Sequence, residues 1–233
     1  MKKIFSVAAI LILFAIQAAD AQNDINWESK IYNVGEFNSI RLEGGFRVFL
    51  FQGETNEVKI KSPDNDVYSN IRVTNENKEL LIKINQTIFD YSRVNLYITF
   101  RDLQKLEIDG GVNLKTNGYL DLTDFYADIE GGANVELRMK AKSVIIHGEG
   151  GFLFDIKGVT DLLDVSISGA GHVSAGNMKS KDVKFRIQGF GTGNVDAINT
   201  LDARIEGAGI LKYKGNPKVN QYIDGLGSVK PLN

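Results

Sequence analysis

The sequence predicts an all-β protein whose second half winds as a single-stranded right-handed parallel β-helix, a β-solenoid, behind an irregular N-terminal strand and hairpin cap. Three observations lead there. First, an Ile-x-Gly segment recurs seven times, at Ile108, Ile129, Ile146, Ile167, Ile187, Ile205 and Ile223, with intervals of 21, 17, 21, 20, 18 and 18 residues. Such self-similarity marks stacked supersecondary units. Second, the apolar residues alternate with a period of two. From Val183 to Ala197 every odd-numbered residue is apolar or glycine. A strand with one buried face has this period, whereas a helix would scramble it. Third, glycine is frequent at 24 residues while 43% of residues are hydrophobic, so the glycines serve structure rather than disorder.

Along the chain, residues 1–21 have the layout of a secretory signal peptide. Lys2 and Lys3 precede an apolar run from Ile4 to Ile16, and Ala19-Asp20-Ala21 is a small-x-small cleavage signal. The run is short for a bilayer span, which takes roughly 20 residues. Residues 22–36 form a lead segment. Residues 37–107 hold the irregular strands: Val58-Lys-Ile-Lys, Ile71-Arg-Val, Leu80-Leu-Ile-Lys-Ile and Val94 to Phe100, with Asn75-Glu-Asn-Lys-Glu as a hairpin turn. Residues 108–233 hold the Ile-x-Gly units, continuous with the cap in one domain.

One unit cannot bury its own apolar face. Stacking units about 4.8 Å apart buries it and pairs each backbone with the next. The seven isoleucines are then expected to form one buried ladder. Parallel crossovers are nearly always right-handed, which sets the expected hand. The rival fold is an up-and-down barrel or antiparallel sandwich. It calls for hairpin turns about every 8–12 residues, and the units lack Asn-Gly or Asp-Gly turns between polar flanks at that spacing.

Composition narrows the function. Without residues 1–21 the chain carries 25 basic and 28 acidic residues, a net charge of −3. That balance argues against nucleic acid or an anionic membrane surface as partner. There is no cysteine, so an exported chain of this kind is held by packing and backbone hydrogen bonds alone.

The Phe37-x-x-Ile40-x-Leu42 opening, Val48 to Gly53 with Gln52-Gly53, Leu80-x-Ile82 and the serial Ile-x-Gly-x-Gly units together resemble the secreted bacterial head GIN domain family, described as autotransporter adhesin heads. The likeness spans roughly residues 34–230. It implies a β-solenoid at the envelope or cell surface and no established catalytic residues. Units of that family often read Ser-Gly-Ser-Gly; here Ile167-Ser-Gly-Ala-Gly comes near, while several units carry Asp or Glu before the glycine.

Units in register would place the residues after each isoleucine in an outward column: Asp109, Glu130, His147, Ser168, Gln188, Glu206 and Asp224. Glu130, His147 and Ser168 would then follow one another as acid, imidazole and hydroxyl, the parts of a hydrolase triad. Rung spacing exceeds the roughly 3 Å contact a triad needs, so a solvated polar ladder is expected instead. Asp109/Glu130 and Glu206/Asp224 would be stacked carboxylates, too few oxygens for a dedicated Ca²⁺ site. Two histidines without cysteine give zinc little support, and no glycine-rich loop has a nucleotide-binding context. Neither metal nor cofactor is expected. Asn85-Gln86-Thr87 matches a glycosylation sequon.

The outward column between the paired glycines is different. It holds Ala170, Phe190, Ala208 and Leu226, with Ile210 on the same parity, which predicts an apolar stripe on the outside of the last units. A contiguous exposed apolar stripe marks a covered or binding surface. The expected function is that of a non-catalytic exported binding or adhesin-like module. Its partner would be an envelope protein, a glycan or a second copy of the chain. The alternative is a carbohydrate-active or esterase-like enzyme on a β-helix scaffold.

Overall fold

A computed structural model describes residues 27–84 and 93–232. The expected signal peptide and the Asn85 sequon lie outside the described residues. In order, the strands are β1 (Glu28–Asn33), β2 (Ser39–Glu43), β3 (Phe46–Gln52), β4 (Glu57–Ser62), β5 (Ile71–Glu76), β6 (Glu79–Ile84), β7 (Asn95–Phe100), β8 (Lys105–Asp109), β9 (Val112–Thr116), β10 (Leu120–Asp121), β11 (Asp124–Glu130), β12 (Asn134–Lys214) and β13 (Lys218–Pro231). A single helical turn, α1 (Val67–Asn70), precedes β5.

Alternation makes these strands. In β3, Phe46, Val48 and Leu50 are buried between outward Arg47 and Phe49, and β6 buries Leu80, Ile82 and Ile84 in the same way. β12 has 81 residues and would span roughly 270 Å if straight. Instead it bends back on itself, so that Gly169 lies against Gly150, Gly189 against Gly169 and Gly207 against Gly189.

The chain is all β, but it is not the expected right-handed parallel β-helix. The sheet is a nearly closed mixed barrel, with strand order β1-β4-β7-β3-β9-β12-β11-β8-β2-β6-β5 and with β10 and β13 joined to β12. β1–β4, β4–β7 and β5–β6 pair antiparallel, while β2–β8, β3–β9, β8–β11 and β12–β13 pair parallel. The expected cap is likewise part of the wall: Ile40 lies opposite Leu106, Leu42 opposite Ile108, and Val48 opposite Leu114. A period of two reports which face is buried and says nothing of partner direction or closure. The hairpin-spacing criterion tests only barrels built of consecutive antiparallel strands. Most pairings here join residues far apart in sequence, so it did not apply.

The core is one continuous cluster from Phe37 to Leu211. Six of the seven isoleucines lie in it, but Ile223 in the last strand is 37% exposed. The ladder also slips. Ile129 lies opposite Ile108, yet its other neighbour is Gly148, and Ile146 lies opposite Ala127. The buried ring of Phe152 fills the space over Gly148 that an isoleucine would occupy. The true register mark is a column of glycines with positive φ: Gly110, Gly131, Gly150, Gly169, Gly189, Gly207 and Gly225. Each lies against the backbone of the one before, beginning from Gly44.

Candidate binding groove

Ala170, Phe190, Ala208, Ile210 and Leu226 all line one open groove of about 570 Å³ on the outer face of β12 and β13. β-Strand alternation puts them there. Their sequence neighbours Ile187, Val195, Ile205 and Leu211 point into the core, which leaves the intervening parity outside. Parallel pairing sets Ala208 beside Leu226 and Ile210 beside Ser228. Phe190 is 71% exposed and Leu226 is 86% exposed. Among the described residues, neither the N-terminal strands nor the C-terminal tail covers the groove.

The inward glycines shape the floor. A side chain at Gly191 would meet Ile187, and one at Gly209 would meet Ile187 and Ile205, so the backbone there lies flat on the core. The groove is therefore shallow, and Phe190 stands out from it at a middle level.

Leu153 was missed by sequence reasoning. It lines the same groove and is 55% exposed. Counting from isoleucines places Glu149 in the stripe, but the glycine column places Gly151 there and Leu153 two residues on. The signal was present: the stacked column glycines from Gly131 to Gly225 are 18 to 20 residues apart, more even than the isoleucines. His172 and Thr192 supply polarity at the same level, joined by a 2.7 Å hydrogen bond between Nδ1 and Oγ1.

The triad arrangement does not form. Glu130 lies opposite Glu149, and His147 lies opposite Asp128. His147 Nδ1 instead meets Tyr126 Oη at 3.1 Å, with Tyr126 Oη also donating to Asp128 Oδ2 at 3.3 Å. Partial burial, followed by the nearby Asp128 carboxylate, raises the Tyr126 phenol above its ordinary value. The stacked carboxylates do exist as pairs, Asp109 beside Glu130 and Glu206 beside Asp224. Arg204 and Gln188 hydrogen-bond Glu206 and lower its pKa. Among the described residues, no group of three or more His, Asp or Glu is placed to hold a metal ion.

The fold has solved relatives. An adhesin from Bacteroides fragilis, named as putative, matches with a TM-score of 0.85 at 21% identity, over 89% of this chain and 97% of that one. Another "putative adhesin", from Parabacteroides distasonis, matches with a TM-score of 0.62 at 20% identity, over 90% and 98%. A "putative lipid binding protein" from Parabacteroides distasonis matches with a TM-score of 0.64 at 14% identity, over 89% and 97%. No curated protein matches the sequence. Residues 36–217 match the family model described as "putative auto-transporter adhesin, head GIN domain", and the chain belongs to that family.

Proposed function

We propose that the chain is a non-catalytic, exported binding module of the bacterial envelope or surface, and that the groove of Leu153, Ala170, Phe190, Ala208, Ile210 and Leu226 is its contact surface. The observation that carries this reading is the contiguous exposure of Phe190, Ile210 and Leu226 along one groove. Soluble proteins rarely leave apolar residues contiguous without a partner. Export is supported by the Lys2/Lys3, apolar-run and Ala19-Asp20-Ala21 pattern and by the family's adhesin description. A neighbour named for lipid binding is consistent with an apolar contact. The partner is an envelope protein or glycan that offers an apolar side chain or ring face to Phe190.

The test compares wild type with Phe190→Ser/Leu226→Ser. Light scattering measures self-association, and envelope and glycan pull-downs measure partner capture. Capture is expected to fall at least tenfold in the variant, with folding unchanged. Equal capture by both proteins removes the groove as the contact surface. An ester or glycoside hydrolysis activity abolished by Ser168→Ala would replace the binding reading with the enzymatic one.

A further inference from the structure

We propose that a second surface, the lysine-rimmed groove over Val159 and Ile198, docks the protein on an anionic lipid surface. It is independent of the Phe190 groove and shares no residue with it.

The groove has a volume of about 470 Å³. Its lining carries Lys140, Lys142, Lys179 and Lys181 with Asp161, and Asp121 and Asp182 lie close enough to act on Lys140 and Lys181. Lys181 Nζ pairs with Asp161 at 2.7 Å, and Lys140 Nζ approaches Asp121 at 3.9 Å. Lys142 and Lys179 form no ion pair among the described residues. The middle of the groove is aliphatic: Val159 is 46% exposed and Ile198 45%.

The local sequence explains the arrangement. Leu137, Met139 and Ala141 point into the core, so Arg138, Lys140 and Lys142 share the outer face. The same alternation puts Lys179 and Lys181 outside on either side of buried Ser180. The barrel brings these segments together, and a chain of net charge −2 acquires a basic, apolar-centred face.

Charge complementarity selects the occupant. A small free anion gains nothing from Val159 and Ile198. A bilayer interface supplies both halves of the match, because aliphatic side chains enter the glycerol and acyl boundary while lysine ammoniums reach the phosphates on flexible stems. Each lysine near an anionic membrane strengthens binding roughly fivefold, and salt weakens it.

The experiment is co-sedimentation of the purified protein with mixed phosphatidylglycerol–phosphatidylcholine vesicles and with pure phosphatidylcholine vesicles. Wild type is expected to sediment with the mixed vesicles alone, and less so at high salt. Lys142→Gln/Lys179→Gln should weaken partitioning roughly 25-fold, at about fivefold per lysine. Val159→Ser/Ile198→Ser should weaken it severalfold, whereas Phe190→Ser/Leu226→Ser should leave it unchanged. All six side chains are exposed, and circular dichroism verifies that each variant folds. Equal binding to neutral vesicles, or an unchanged lysine variant, overturns the proposal. So does full competition by free inorganic phosphate, or dependence on the lysines without dependence on Val159 and Ile198; either result identifies a simple anion site.

Discussion

Gly207 combines two constraints at one residue. Its φ is +118°, and an added Cβ would sit 2.5 Å from the carbonyl oxygen of Gly189. Gly132 has neither constraint, with nothing within 4 Å of its would-be Cβ. Gly207→Ala should therefore destabilise by about 1–3 kcal/mol, while Gly132→Ala stays within about 0.5 kcal/mol, as read from urea midpoints. A second pair tests the slipped ladder. Gly148→Ala collides with the Phe152 ring, and Phe152→Ala opens a cavity costing about 3–5 kcal/mol. Because the two occupy one space, the double variant should be less unstable than the sum of the singles. This exchange was illegible in the sequence, since a glycine in place of an isoleucine looks like a break until the aromatic four residues on is seen to fill it. Glu43 supplies a pH dependence. Its carboxylate accepts from Lys83 Nζ at 2.6 Å and from Arg41 Nε at 2.9 Å. The Lys83 hydrogen bond chiefly, and then Arg41, lower its pKa against the opposing effect of partial burial. A lowered folded pKa gives stability that is present above the unfolded carboxylate range and lost as pH falls through the folded pKa. Both cations are well exposed, so solvent screening limits the effect to about 0–1 kcal/mol. The Tm deficit of Glu43→Gln at neutral pH should disappear in acid.

At the scale of the element, the β5–β6 hairpin turns through Asn77 and Lys78, with φ of +53° and +66°. Two residues of positive φ match the right-handed twist of the flanking strands, and Asn-Gly is the preferred pair. Lys78 has a side chain where glycine is favoured. Lys78→Gly should raise stability by about 1 kcal/mol, measured as an increase in Tm, because backbone acceptance from Asn38 and Ser39 is retained. This hairpin was legible because turn chemistry and flanking alternation agree. β1 was not, because its residues are almost all exposed and carry no alternation. Pairing with β4 holds it, aided by Tyr68 Oη donating to the Glu28 carbonyl at 2.7 Å. Likewise, Val58, Ile60, Leu96 and Ile98 identify β4 and β7 as strands without disclosing that they run antiparallel.

For the whole molecule, a single core cluster replaces disulfides, and every wall contributes to it. Ile187 is fully buried, so Ile187→Asp would place an unpaired charge in that core at a cost of several kcal/mol. The variant should lose its cooperative melting transition by calorimetry, whereas Ile198→Ser should melt like wild type. The sequence disclosed that the Ile-x-Gly isoleucines face inward, Ile223 excepted, and that Ala170, Phe190, Ala208, Ile210 and Leu226 face outward together. It did not disclose closure, because strand direction depends on partners distant in the chain. Nor did it disclose the basic face. An overall charge of −2 averages over surfaces that folding separates, and lysines some 40 residues apart become neighbours only when β12 doubles back.

The column from Gly44 to Gly225 has a consequence for how such a protein can change over generations. Backbone meets backbone along it, so replacement by any encoded L-residue is penalised by clash or by φ at several levels. The positions beside it, from Glu130 and Glu149 to Ala170 and Phe190, face solvent and bear little of the packing. Substitution is thus channelled sideways, into the outward rows. One scaffold can acquire new specificities by exchanging rim residues while its glycine spine stays fixed.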